Sequence, residues 1–265
     1  MKSILVPVGS SKNAQSHLQY AVDFAKAFGA KLYVVQVYNV YTKSGTMIKI
    51  DHIIERESLD FLKSHVDKID TKGVDVIVKT FKGKLVDTLN LVCKSIDADL
   101  ILLEPRTNSI KDEVYLGKTS GKIIKQTNIP ALIVPEGFVF KPINNILIAL
   151  KSAVIKKENA LSVLTNIKNQ FNSNLNLLLV KTPFHNEGDF NINNELQSIV
   201  GSTKETENAT TFQGVLEHYK DSNPDLLCVV RRKRGFFKKM WEKNRVLKKD
   251  FYVSSLPVLV LSGLK

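Results

Sequence analysis

Cysteine is almost missing from this chain: Cys93 and Cys228 are the only two among 265 residues. Each has leucine or valine beside it, as small buried hydrophobes do, and two thiols cannot build a disulfide framework or a thiolate metal site. Long apolar runs are missing too. Leu100–Leu103 and Leu256–Leu261 fall far short of the roughly 20 residues a bilayer-spanning helix needs, so no membrane partner is expected. Met1-Lys2-Ser3 leads straight into Ile4-Leu5-Val6-Pro7-Val8 without the apolar segment and small-residue cleavage site of a signal peptide, which points to the cytoplasm. Acidic residues are the scarcer charge, 26 against 38 Lys and Arg, for a net of +12. With 43% hydrophobic and 24% charged residues the chain cannot be disordered or fibrous, and its length favours two domains of moderate size.

What is present is an internal repeat. Ile4-Leu5-Val6-Pro7-Val8-Gly9-Ser10 matches Ile146-Leu147-Ile148-Ala149-Leu150-Lys151-Ser152. Asp99-Leu100-Ile101-Leu102-Leu103 matches Asp225-Leu226-Leu227-Cys228-Val229, and Ile129-Pro130-Ala131-Leu132-Ile133-Val134 matches Leu256-Pro257-Val258-Leu259-Val260-Leu261. The order of the three anchors is kept, and the second copy is shorter in its middle. In the first copy, Ile4–Val8 and Leu32–Val37 read as strands buried on both faces, and Ala14, Leu18, Ala21, Ala25 and Phe28 fall between them at helical spacing with Gly29 as the stop. Ile54, Leu62, Val66 and Ile69 predict a second helix, Val74–Thr80 a strand, and Leu85, Leu89, Val92 and Ile96 a third helix. Leu100–Leu103, a helix after Gly117, and Ala131–Val134 complete the unit. Five strands alternating with four helices predict an α/β fold, a parallel sheet wrapped on both faces in the flavodoxin-like manner.

The second copy repeats the scheme with strands near Ile146–Leu150, Leu175–Lys181, Asp225–Val230 and Val258–Leu261, and a first helix carrying Leu161, Leu164, Ile167 and Phe171. Irregular structure is expected over Thr182–Thr211, with a short helix at Asn193–Val200. The linker Pro135-Glu136-Gly137-Phe138-Val139-Phe140-Lys141-Pro142 separates domains expected at 1–137 and 138–265.

Taken with Ala98–Leu103, Leu116-Gly117 and Asn128–Val134, the opening strand makes nearly the whole chain resemble the universal stress protein family in its tandem form. The resemblance implies two Rossmann-like domains of the HUP type, each with a five-stranded parallel sheet, pairing within the chain as a pseudo-dimer through Ala131–Val134 and Val258–Leu261, with association of two chains as a further expectation. It implies a cytoplasmic stress-response protein that is not an enzyme, a small-ligand sensor or dimerising scaffold. Family members with a nucleotide site carry Gly-x2-Gly-x9-Gly-Ser/Thr after the fourth strand and an Asp at the end of the first. Such glycines let backbone N–H groups approach phosphate closely. By spacing to Pro130, the first copy has Glu104, Thr107, Gly117 and Lys118 at the motif positions, and Gly9 in place of the Asp. The candidate nucleotide pocket is therefore Pro7, Val8, Gly9, Val37, Glu104, Arg106, Thr107, Gly117, Lys118 and Thr119. ATP or another adenine nucleotide is the ligand the resemblance implies, yet only one of three glycines is kept and Glu104 repels phosphate, so ATP binding is expected to be weakened or lost. Gly117-Lys118-Thr119 is not a P-loop, since residue 112 is Asp where that motif needs glycine.

In the second copy the same spacing reaches Arg231, Arg234, Asn244 and Arg245. Between Arg231 and Lys249 stand ten basic residues and one acid, Glu242, interleaved with Phe236, Phe237 and Trp241. Arg231, Arg232, Arg234 and Arg245 are the candidate anion-binding residues, and the alternative function is a binder of polyanion, nucleic acid or an acidic protein through charge and stacking. The bland alternative for this segment is a solvated charge run with its aromatics packed on the sheet. The five histidines show no metal-ligand spacing or triad motif and read as ordinary surface or capping residues; no catalytic constellation is defined.

Overall fold

The alternation of doubly buried apolar runs with amphipathic stretches folds as predicted, into helices laid against a mostly parallel sheet. The computed structural model describes residues 1–9, 13–39, 47–105, 117–155, 157–231 and 256–262. They fall into two compact units, one made of Met1–Glu104, Thr119–Ile129 and Glu136–Phe140, the other of the remainder.

In the first unit the chain runs β1 (Ser3–Pro7), α1 (Ala14–Phe28), β2 (Lys31–Tyr38), α2 (Met47–Val66), β3 (Val76–Lys82), α3 (Leu85–Ser95) and β4 (Leu100–Leu103), followed by α4 (Gly117–Gln126). The strands lie in the order β3, β2, β1, β4, all parallel. Ile4, Leu5, Leu32, Val34, Leu100 and Ile101 are inaccessible to solvent because helices cover both faces. Strand β3 starts two residues later than Val74, whose N–H is engaged by Thr71 O in a turn. Gly29 ends α1 at φ 60°, a left-handed backbone that suits glycine, and its N–H reaches the carbonyls of Ala25 and Lys26. The linker folds back on α1: Phe140 meets Tyr20 at 5.6 Å and Phe24 at 6.2 Å between ring centroids, Phe138 meets Tyr20 at 6.2 Å, and Asn13 donates to Glu136.

The second unit contains β5 (Ala131–Ile133), β6 (Asn145–Leu150), α5 (Ser162–Phe171), β7 (Asn174–Lys181), α6 (Asn194–Ile199), β8 (Ser202–Glu207), α7 (Thr211–Ser222), β9 (Leu226–Arg231) and β10 (Val258–Ser262). Its strand order is β5, β10, β9, β6, β7, β8. All pairs are parallel except β5 with β10, where Ile133 faces Val258 and Ala131 faces Val260. The last strand of the first copy thus pairs with the last strand of the second, which closes two apolar edges that would otherwise leave backbone groups open. This grouping differs from a cut at 137/138, because β5 falls with the second unit and Glu136–Phe140 with the first.

The expected short helix is α6, while β8 stands where irregular structure is expected. Its sequence, Ser-Thr-Lys-Glu-Thr-Glu, is too polar for an apolar alternation to mark it. A side-chain ladder supports it instead: Ser202 Oγ donates to Asn176 Oδ1 at 2.6 Å, and Lys181 Nζ lies 2.7 Å from Glu207 Oε1. Helix α7 lies so close above β7 and β8 that a Cβ at Gly214 would stand 2.8 Å from Val180 Cγ2 and 3.1 Å from Thr206 Cγ2, which requires glycine there.

The sequence anchors Asp99 and Asp225 do the same task in both copies. Asp99 Oδ2 accepts the N–H groups of Lys2 (2.6 Å) and Ser3 (3.1 Å), and Asp225 Oδ2 accepts those of Asn144 and Asn145 (both 3.0 Å). Each carboxylate fixes the start of its copy's first strand. Asp225 also takes Lys141 Nζ at 2.7 Å. Burial pushes its carboxyl upward, but the Lys141 ammonium and the Asn145 and Asn144 N–H groups outweigh that and hold it below the usual carboxylate range.

Candidate functional site

Parallel α/β sheets place ligands outside the carboxyl ends of their strands, and the sequence-predicted residues can be located against that edge in each unit. In the first unit Pro7 ends β1, and the Val8 N–H continues the ladder to Val35 O at 2.8 Å. The register Pro7 to Val35, carried two residues on, brings Gly9 level with Val37, both half-buried. Glu104 follows β4 and is half-buried, and its carbonyl accepts Ser120 Oγ at 2.8 Å, which ties the first turn of α4 to the end of β4. Gly117 and Lys118 open α4, and Thr119 is exposed. Arg106 and Thr107 lie outside the described residues.

Three features of this unit have no counterpart in the motif reasoning. Tyr38, at the end of β2, is held above the usual tyrosine range by burial and then by the carboxylates of Glu55 and Asp51, with Lys82 pulling the other way. Lys82 pairs with Asp51, while Asp51 Oδ1 and Gln36 Oε1 are buried without a partner. The four-residue spacing of Asp51 and Glu55 on one helix is the only sequence signal for this cluster.

The third feature is His17, which corrects the reading of the histidines as surface residues. It is 7% exposed, on the inward side of α1, and neither ring nitrogen makes a hydrogen bond of good geometry. Burial lowers its pKa from 6.5 to about 4, against a smaller upward pull from the nearby Leu102 backbone. Its neighbours in the buried stripe, Ala14, Leu18 and Ala21, are small or apolar, so position on the helix prevailed over residue type. Both cysteines are buried: burial pushes the Cys93 thiol up to about 12 and the Cys228 thiol up as well, which leaves them unreactive.

The second unit carries a different edge. Lys151 follows β6, Arg231 ends β9, and both are half-buried. The loop beyond β7 folds toward the loop beyond β6: Ala153 N donates to Asp189 O at 2.6 Å, Asn193 Nδ2 to Ile155 O at 3.3 Å, and Lys151 Nζ to Phe184 O at 3.5 Å. Arg232, Arg234 and Arg245 lie outside the described residues, as does the rest of the basic segment to Lys249. The registers also shift one correspondence. Ile4 pairs with Leu100 as Ile146 pairs with Leu226, so Glu104 corresponds to Val230; spacing to Pro130 had matched it to Arg231. Gly9 and Lys151 correspond as the repeat predicts.

No group of three or more His, Cys, Asp and Glu able to hold a metal occurs among the described residues, and none of the helices searched there is long and apolar enough to cross a membrane.

Fold and edge together define a tandem α/β protein of the Rossmann-like class, with one sheet edge per copy in the position where such proteins take ligands. The chain belongs to the universal stress protein family, whose model matches residues 1–135. A universal stress protein of Methanocaldococcus jannaschii is 22% identical over 140 residues, covering 51% of this chain and 82% of its own. The crystal structure of a universal stress protein from Archaeoglobus fulgidus covers 98% of this chain and 96% of its own, with a TM-score of 0.69 and 18% identity. A functionally unknown protein from Pseudomonas aeruginosa superposes with a TM-score of 0.60 over 99% of this chain and 92% of its own at 12% identity. At these identities the two structures speak for the fold alone.

Proposed function

We propose that this protein is a non-enzymatic stress-response module, a small-ligand sensor or scaffold made of two universal-stress-type domains at about 1–137 and 138–265 paired within one chain, whose first copy no longer binds ATP in the family's usual way. The observation that carries the reading is Glu104 with its neighbour Ser120. A half-buried glutamate stands where the resemblance implies phosphate-facing glycine, and the Ser120 hydroxyl is engaged by the Glu104 carbonyl at 2.8 Å. A carboxylate there repels phosphate, and a hydroxyl already donating to the backbone has no proton left to donate to a ligand oxygen. Antiparallel pairing of β5 with β10 supports the scaffold half of the proposal.

The test is a thermal-shift and calorimetric titration with ATP, ADP, AMP and cyclic nucleotides, with and without magnesium. Ligand binding to the folded state raises its stability by an amount set by concentration over dissociation constant. The expected result is no stoichiometric ATP binding at millimolar nucleotide. Stoichiometric binding that disappears on Gly117→Ala or Lys118→Ala overturns the reading.

The concentration of ten basic residues between Arg231 and Lys249 favours a second reading, a polyanion or acidic-partner surface. It requires binding to single-stranded nucleic acid or polyphosphate that weakens steeply as salt rises.

A further inference from the structure

A strand at the border of a sheet presents a row of backbone N–H and C=O groups that its own sheet leaves unpaired. Among the described residues two strands stand in that position, β3 at the end of the first unit's strand order and β8 at the end of the second's. Both are continuous. β3 keeps register with β2 at successive residues from Leu32 with Val76 to Tyr38 with Lys82, and β8 does so with β7 from Asn176 with Ser202 to Lys181 with Glu207. Neither holds a proline. Their side chains differ: β3 is Val-Ile-Val-Lys-Thr-Phe-Lys, mostly half-buried with Lys79 exposed at its centre, while β8 is Ser-Thr-Lys-Glu-Thr-Glu and exposed everywhere but at Thr206. Lys82 is held by Asp51, Glu207 by Lys181 and Lys204 by Asp221, whereas Lys79 and Glu205 close no ion pair among the described residues, Glu205 acting on Lys181 only through its field.

These charges decide what each border accepts. Two copies of β3 paired antiparallel about their midpoint set Lys79 opposite Lys79. Two copies of β8 paired in the same way set Lys204 opposite Lys204 or Glu205 opposite Glu205, because side chains level with one another must share a face. Like charges directly opposite are destabilising. β3 against β8 is different: laid parallel, as each already lies to its own neighbour, Ser202–Glu207 spans Val76–Phe81 and sets Glu205 level with Lys79, Thr206 with Thr80 and Thr203 with Ile77.

We infer that β3 of one chain receives β8 of a second copy of the same chain, so that two open borders close on each other in a head-to-tail interface. Main-chain hydrogen bonds supply the attraction, as in strand addition generally, and the Lys79–Glu205 pair fixes the register and disfavours self-pairing. Two chains joined in this way still leave one β3 and one β8 open, so assembly continues along a series or closes into a ring. Neither strand belongs to the candidate pocket of the first copy or to the basic segment of the second, so the interface stands whether or not either copy takes a ligand.

The test is sedimentation velocity of the full chain, freed of nucleic acid, over a concentration series from micromolar upward. The weight-average mass is expected to rise reversibly with concentration, past that of a dimer. Lys79→Glu and Glu205→Lys should each weaken association about tenfold, since an attraction becomes a repulsion. An equimolar mixture of the two variants should restore it, because the altered border of each then meets the altered border of the other with opposite charge. Both substitutions change exposed side chains, and the melting curves of the separate variants report that they fold. A chain that stays monomeric throughout, association that neither variant alters, or a loss in both that mixing does not repair overturns the inference. A mass that does not fall again on dilution also overturns it, since that marks unspecific aggregation of an open strand.

Discussion

The two copies share one scaffold and differ at its working edge. Strand registers, helix stops and the aspartate that fixes each first strand recur: Gly29 and Asn172 both end a first helix in the left-handed conformation, and Asp99 and Asp225 bond the backbone in the same pattern. At the carboxyl edge the first copy presents Gly9 and Val37 with Glu104 nearby, the second Lys151 and Arg231, all of them partly exposed. The difference teaches that architecture and ligand chemistry sit on separate residues. Backbone geometry fixes the first set, so both copies keep it; solvent-facing strand ends tolerate any side chain, so charge there is free to diverge.

Core substitutions give the largest contrast. Phe24 is inaccessible to solvent and packs against the rings of Tyr20, Phe28 and Phe140, whereas its counterpart Ile167 is equally buried but aliphatic. Phe24→Ala is expected to cost about 3–5 kcal/mol and Ile167→Ala less, toward the lower part of about 2–5 kcal/mol. Chemical denaturation of the two variants measures the gap, and equal losses would show that the aromatic cluster on the first helix adds nothing beyond ordinary burial.

Acid should act on the first copy through His17, which has no equivalent in α5. Its folded pKa is lowered from 6.5 to about 4, so between those values the unfolded chain binds more protons. Stability from this group is complete above pH 6.5 and falls as pH drops toward 4, by roughly 3 kcal/mol at 1.36 kcal/mol per pH unit. His17→Leu should flatten that part of the melting-temperature profile and leave stability at pH 7 unchanged or raised, since it removes two unsatisfied nitrogens. An unaltered profile would exclude His17 as the source.

The aspartate pair supplies a smaller and sharper comparison. Asp225→Asn is expected to cost about 1–2 kcal/mol and Asp99→Asn less, because only Asp225 also holds an ammonium. The Asp225 carboxyl is held low in the folded state, so its contribution is present above the unfolded carboxylate pKa of about 3.9 and is lost as pH falls below it. Unfolding curves of the two variants at pH 7 and pH 3 check both the order and the sign.

Most of the scaffold was readable from sequence because buried parallel strands are continuous apolar runs: Ile4–Val8, Leu32–Val37 and Leu100–Leu103 need no tertiary information. Strand β8 was not readable, as its stability comes from Asn176, Lys181 and the ladder of β7 beside it. Nor was the burial of His17, since an apolar stripe marks which side of a helix is covered and does not say how wide the cover is. The candidate site was legible in part. The repeat put Gly9 and Lys151 just past the ends of β1 and β6, where the structure has them, but spacing measured from Pro130 passed over loops of different length and displaced Glu104 by one residue against the second copy.

The sequence by itself determined the repeat, the parallel α/β class and the family, because these follow from periodicity and from strand ends that recur in order. Only the tertiary structure decided that β5 pairs with β10, that His17 is enclosed, and that Lys151 and Arg231, eighty residues apart in the chain, stand at the carboxyl ends of the neighbouring strands β6 and β9. Pairing between distant strands fixes register, and register determines which side chains become neighbours.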